Sequence, residues 1–170
     1  MPFGVPWTRF EPPYLQQQGL QFYWGARAKL TPEAWDLPFA VYDGDDLVGV
    51  QSVGAESFAV NHQVNTGSWL ARTAQGKGIG KQMRAAVLHL AFAELGTQVA
   101  VTSAFADNPA SLGVTRSLGY EDNGSFLDNR EGKAVQHLRF VLTRDRWEQH
   151  RRDDIQVSGL DPCRPLLGAE

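Results

Sequence analysis

Three glycines in five residues, within Gln75-Gly76-Lys77-Gly78-Ile79-Gly80-Lys81, join an extended run to a long apolar helix. Glycine has no Cβ, so this backbone can take positive φ and leave its N–H groups uncovered, which suits a turn wrapped round a phosphate. The following helix offers unpaired N–H donors and the positive end of its macrodipole, and Lys77, Lys81 and Arg84 add formal charge. The stretch reads as an anion site for a phosphate ester. A Walker A loop would need glycine at position 75 and Ser or Thr at 82, where the chain has Gln75 and Gln82. A dinucleotide fingerprint starting at Gly76 and Gly78 would need a small residue where Lys81 stands. Both readings fail.

The spacing that fits is Gln/Arg-x-x-Gly-x-Gly/Ala, met by Gln75, Gly78 and Gly80. Before it stands Gly67-Ser68-Trp69-Leu70-Ala71-Arg72, and after it come Asn108-Pro109-Ala110-Ser111 and Leu118-Gly119-Tyr120. In this order and spacing the chain resembles the GNAT superfamily of acyl-CoA N-acyltransferases, most closely its ribosomal-protein N-acetyltransferase-like branch, over residues 39–143. The resemblance implies an α/β fold with a mostly antiparallel twisted sheet flanked by helices and splayed, at a bulge, where the acyl-CoA inserts. It implies transfer of an acetyl group from acetyl-CoA, without a metal, to a primary amine by direct attack. The α-amine of a protein N-terminus is one candidate acceptor and an amine-bearing small molecule another. Leu70 and Arg72 would flank the pantetheine, and Gln75, Gly76, Lys77, Gly78, Ile79, Gly80 and Lys81 would hold the pyrophosphate. The thioester carbonyl would lie beside Ser68 to Leu70, polarised by a backbone N–H. Asn108 would contact the cofactor, and Ser111, near the sulfur, would be the acid that protonates the leaving thiolate.

Three departures from the family pattern bear on the chemistry. A rival family arrangement places a Tyr four residues after Ser111, where this chain has Thr115; Tyr120 reads as core packing. Relatives often carry Glu two residues before the Gly of Gly-x-Trp-Leu, and this chain has Asn65, an amide that cannot accept a proton at neutral pH. Glu56 and His62, just upstream, are the substitutes for the base, each set against a plainer reading as a solvated strand-end charge or a packing histidine. His89, His137 and His150 read as structural, and Cys163 as a tail thiol far from chemistry. Finally, the family normally opens with a further strand and helix before the region matching Met1. Either the sheet edge is covered another way, as in a homodimer, or the natural chain starts upstream. A second class of function stays open, a non-catalytic acyl-CoA-binding module or sensor that kept the turn and lost the base.

Composition narrows the setting. A chain of 170 residues is most simply one domain over 1–170, and its 42% hydrophobic content is ordinary for a soluble protein. The net charge of -3 gives no global field for a polyanion, which speaks against nucleic acid as a partner. One cysteine forms no internal disulfide, no Cys/His spacing suggests a metal, and no apolar run approaches membrane-spanning length. Met1-Pro2-Phe3-Gly4 lacks the basic and apolar parts of a secretory signal, so the expectation is a cytoplasmic protein.

In chain order, prolines 2, 6, 12 and 13 make residues 1–13 an irregular arm carrying Trp7 and Phe10. Apolar spacing predicts a helix from Tyr14 to Leu30, and Thr31-Pro32-Glu33 an N-cap and short helical turn ending near Pro38. Phe39–Tyr42 and Leu47–Val53 should pair about Asp43-Gly44-Asp45-Asp46. Phe58–Ala71 reads as one long strand, with Val60, His62, Val64, Thr66, Ser68 and Leu70 on one face. A helix from Gly80 to Leu95, a central strand from Gln98 to Phe105 and a helix from Asn108-Pro109 to Leu118 follow. The last strands are Tyr120–Leu127 and Ala134–Thr143; 144–154 reads as a solvated helix, and 155–170 as an irregular C-terminal tail. The arm, the helix with Tyr23 and Trp24 and the loop 127–133 are left to wall the acceptor.

Overall fold

The computed structural model of the chain describes residues 6–169, and residues 1–5 of the arm, with Glu170, lie outside the described residues. After a single 3-10 turn at Trp7–Arg9, helix α1 runs Tyr14–Ala28. Strands β1 (Ala34–Asp43) and β2 (Asp46–Glu56) form a hairpin about Gly44-Asp45, longer than the apolar runs alone indicate. A short helix α2 (Phe58–Asn61) precedes β3 (Gln63–Leu70), and after the glycine turn come α3 (Ile79–His89), β4 (Val99–Phe105) and α4 (Pro109–Ser117). Strands β5 (Glu121–Arg130) and β6 (Lys133–Thr143) close the sheet, and α5 (Arg144–Glu148) leads into the C-terminal segment.

The six strands lie in the order β1-β2-β3-β4-β6-β5, and β3 with β4 is the one parallel pair. That pair is short: Gln63, Val64 and Asn65 face Val99, Ala100 and Val101, and pairing then stops. From there β3 continues against β2 as far as Leu70↔Gly49, while β4 continues against β6 as far as Phe105↔His137. The sheet is thus two three-stranded halves joined along three residues. The opening expected from the resemblance is present without a bulge in β3, whose register with β2 is unbroken from Asn65 to Leu70. Thr102 Oγ1 donates to the Thr66 carbonyl at 3.0 Å, so a side chain takes the place of the next rung.

Helix α3 lies over one face of the sheet and is buried along Met83, Arg84, Ala85, Val87, Leu88 and His89. A π-helical turn, Leu90–Glu94, extends it before Gly96 ends it with a left-handed φ. Beneath it, Val53, Val64, Ala100, Phe140 and Leu142 pack with Phe58, Phe92 and Trp147, the last two stacked at 5.1 Å. Helix α1 covers the opposite face, with no fully buried residue, and is fixed where Trp69 Nε1 donates to Tyr23 Oη at 3.0 Å.

Four expectations are corrected. Residues 31–38 form a turn closed by Thr31 and then β1, not a helical turn; Pro38 is tolerated because β1 is the sheet's edge, where one N–H has no ladder partner to lose. The run from Phe58 is broken by α2 and by His62 at φ 44°, so the strand begins at Gln63, although Val64, Thr66, Ser68 and Leu70 do share a face. The helix at 144–154 ends at Glu148 and buries Trp147 rather than standing in solvent. The tail is not loose: a 3-10 helix, Asp161–Leu167, places Leu167 and Ala169 in the core, and Trp35 Nε1 donates to the Leu167 carbonyl at 2.9 Å. Leu167→Ala should therefore cost about 2–5 kcal/mol, read as a lowered midpoint in urea unfolding.

Candidate functional site

At its C-terminal end β3 leads through a 3-10 turn, Arg72–Ala74, into Gln75-Gly76-Lys77-Gly78. Gln75 Nε2 reaches back to the Leu70 carbonyl at 3.0 Å and fixes the turn to the strand. Gly76 and Gly78 stand at φ 76° and 82°, and a Cβ on either would meet nothing within 4 Å. What demands glycine here is conformation, not space. The amides of Gly76, Lys77 and Gly78 form no hydrogen bond among the described residues, and α3 starts at Gly78 without a side-chain cap. Lys77, Lys81 and Arg72 stand exposed around this N-terminus, and Leu70 and Ile79 are half-buried beside it. A phosphate group fits this arrangement of open amides and exposed cations. Arg84 does not belong to it. Its guanidinium turns inward, donating to Thr115 Oγ1 at 2.7 Å and Ser68 Oγ at 3.3 Å. The sixth helical position faces the sheet, which corrects its assignment to the phosphate turn.

Across the opening, Asn108 caps α4, its Oδ1 accepting from the Ser111 amide at 3.2 Å. The Ser111 side chain is half-buried, and its hydroxyl makes no hydrogen bond among the described residues. A serine in a first helical turn often satisfies itself on the backbone; this one does not. The loop holding Asn108 is tied to the β5–β6 hairpin, where Arg130 donates to both Asp107 oxygens at 2.9 and 2.6 Å and lies 4.5 Å over the Phe105 ring. That pairing holds the Asp107 carboxyl below its ordinary pKa.

At the other end of β3, on the face covered by α1, lies a cavity of about 500 Å³ lined from α1 by Gln21, Phe22 and Lys29 and from the sheet by Asp36, Glu56 and Asn65. Register explains its floor. Asp36, Gly54 and Asn65 lie side by side across β1, β2 and β3, and a Cβ on Gly54 would stand 3.3 Å from Asp36 Oδ1 and 3.4 Å from Asn65 Nδ2. Asp36 Oδ1 is buried without a hydrogen-bond partner among the described residues, and burial raises this carboxyl's pKa against the opposing effect of the Ser52 hydroxyl. Asp36 went unnoticed in the sequence because it lies in a segment read as a helical turn. Of the two sequence-predicted bases, Glu56 lines the cavity rim, while His62 is exposed and packs edge-on against Phe58 at 5.6 Å. Tyr120 is buried, as expected of a core residue.

The slot, the glycine turn and the cavity thus lie along one strand, with Asn65 at one end and Leu70 at the other. Residues 4–121 match the family model of the acetyltransferase (GNAT) domain, and the chain belongs to that family. Its fold matches a spermidine N-acetyltransferase from Vibrio cholerae solved with CoA and spermine, at TM-score 0.65 and 15% identity over 81% of each chain. It also matches Mycobacterium smegmatis RimJ solved with CoA-disulfide, at TM-score 0.61 and 19% identity, over 79% of this chain and 61% of that one. The mixed six-stranded sheet with flanking helices is the fold of these acetyltransferases.

The two kinds of glycine at the turn should respond differently. Gly78→Ala forces a side chain to φ 82° and should cost about 1–2 kcal/mol. Gly80→Ala meets only Val114 Cγ2, at 3.6 Å, and should be neutral or stabilising by up to about 1 kcal/mol. Thermal unfolding of both variants measures the contrast.

Proposed function

We propose that the protein transfers an acetyl group from acetyl-CoA to a primary amine seated in the cavity under α1. The observation that carries this reading is the single strand β3, which leads from the cavity at Asn65, along the unpaired edge at Gly67–Leu70, to the open glycine turn. The turn from Gln75 to Lys81 would hold the pyrophosphate on backbone amides and exposed lysines, and the unpaired edges of β3 and β4 would take the pantetheine amides between Leu70 and Arg72 on one side and Asn108 on the other.

The acceptor arrives as an ammonium and must lose a proton before it can attack. Asp36 is the base we favour among those facing the cavity, since it shares a row with Asn65 and a raised pKa brings a carboxylate closer to neutrality. Glu56 at the rim adds a second negative charge suited to drawing in a cation, and Lys29 is the cation in the lining. The amine nitrogen bonds to the thioester carbonyl carbon, the C–S bond breaks with its electron pair on sulfur, and the Ser111 hydroxyl, unbonded among the described residues, relays to sulfur the second proton that the nitrogen sheds as the amide forms. The RimJ likeness keeps a protein α-amine among the acceptors, and the spermidine enzyme keeps small amines there too. Asn65 taken alone would favour a module that binds acyl-CoA without turnover; a carboxylate beside it removes that argument.

Calorimetry should show acetyl-CoA binding to the chain, lost in Gly78→Asp, where a negative side chain enters the phosphate turn. In Asp36→Asn, acetyl-CoA binding should persist while amine-dependent thiol release falls about 10²–10⁴-fold; equal loss of both would remove Asp36 from the acceptor half. Stability should move the other way. A carboxyl whose folded pKa is raised contributes stability below its unfolded value, about 3.9, and loses it as pH rises through the folded value. Asp36→Asn should therefore unfold at higher denaturant than the parent at pH 7, with the difference vanishing in acid.

A further inference from the structure

One charge inside the splay is left unused by the reaction above. Arg84 is 4% exposed, its Nε makes no hydrogen bond among the described residues, and its two terminal nitrogens are held by hydroxyls, Thr115 on α4 and Ser68 on β3. Among the described residues it forms no ion pair with a carboxylate, and the ionisable group that couples to it is Tyr120, whose phenol burial keeps neutral. Tyr120 in turn faces the Thr66 hydroxyl, which is uncharged. A guanidinium stays protonated even where burial lowers its pKa. A buried charge without an anion destabilises a fold unless something else supplies the anion.

The position of Arg84 points to where that anion forms. Ser68 lies on the part of β3 that no longer pairs with β4. Thr115 lies four residues after Ser111 on the same face of α4. The guanidinium therefore bridges the two elements that flank the opening, directly behind the place where the C–S bond would break.

We propose that Arg84 is the built-in counter-charge of the coenzyme thiolate, a positioning residue that acts through the Ser68 and Thr115 hydroxyls and its field across the slot. This rests on the acyl-CoA reading above. As the amine nitrogen bonds to the acyl carbon, the electron pair of the breaking C–S bond moves to sulfur, and the anion faces a fixed cation in a poorly solvated site. The ammonium's first proton passes to Asp36, and the second, shed by nitrogen as the amide forms, is relayed through the Ser111 hydroxyl to sulfur, so that the serine ends as a hydroxyl.

The test titrates the thiol of CoA bound to the protein by its thiolate ultraviolet absorbance, on a Cys163→Ser background that silences the single, exposed cysteine. A free thiol ionises near about 8.5. Bound to the parent, CoA should ionise at least about one pH unit lower, a tenfold gain in thiolate. In Arg84→Met the shift should disappear, and in Arg84→Lys part of it should return. CoA affinity by calorimetry should stay within about threefold in Arg84→Met, and its thermal midpoint should not fall, because an apolar chain replaces an unpaired charge. An unshifted thiol in the parent, an equal shift in Arg84→Met, or early unfolding of Arg84→Met would each overturn the proposal. A parent chain that takes up no CoA would instead show in the calorimetry and defeat the acyl-CoA reading on which this one stands.

Discussion

The parting of β3 from β4 after three paired residues is the constraint on which the rest of the structure depends. A sheet interior normally satisfies every main-chain group from strand to strand, so an internal parting leaves two edges facing each other with unmet donors and acceptors. Here both edges are locked from behind. Strand β3 keeps its full register with β2, and β4 keeps its own with β6, so neither can swing to close the gap. The join is reinforced at its start, where the Gln98 amide donates to the His62 carbonyl at 2.7 Å, and capped at its end by the Thr102–Thr66 hydrogen bond. A rigid slot of this kind suits an extended chain bearing amides, which can complete both ladders at once.

Two polar groups lie on opposite faces of the sheet, one two strands from the slot and one beside it, and among the described residues neither has a charged partner. Asp36 sits under α1 with one oxygen unmatched among the described residues, and Arg84 points from α3 onto the sheet, held by neutral hydroxyls. Purely structural selection would replace either with an apolar residue, since isolated buried charge is costly. In the reaction proposed above they would stand where a proton is lost and where negative charge appears, which gives their joint presence a common physical rationale. The sheet separates them, so they cannot neutralise each other as a salt bridge.

The glycine turn, the apolar helix after it, the central strand and the Asn108 cap were legible in the sequence because local rules govern each. Positive φ selects glycine, a capping amide precedes Pro109, and apolar periodicity marks α3. What could not be read depended on neighbours distant in the chain. Thr31-Pro32-Glu33 carries a helix-start signal, yet the segment after it becomes an edge strand because β2 offers it a ladder. That error hid Asp36, whose proximity to Asn65 exists only through the register of three strands. Arg84 was assigned by its nearness in sequence to the lysines of the turn, but 3.6 residues per turn rotate its side chain onto the sheet. The docking of Leu167 could not be seen either, since its partner Trp35 is 132 residues away.

The face of the sheet under α1 is walled by pieces that brace one another rather than by a single element. Trp69, on the same strand as Asn65, packs edge-on against Trp7 of the arm at 5.6 Å and donates to Tyr23 of α1, so one side chain locates both. The arm reaches further, where Arg9 pairs with Glu131 at the tip of the β5–β6 hairpin. The adjacent Arg130 grips Asp107, the residue before Asn108, which caps α4 and accepts from the Ser111 amide. A chain of contacts therefore runs from Trp69 through the arm and the hairpin tip to the loop that aims α4. Surface ion pairs of this sort contribute little to global stability. Their effect is geometric: the strand carrying Gly67–Leu70 and the helix carrying Ser111 belong to different halves of a split sheet, and this belt joins the halves on the open side, where no ladder can.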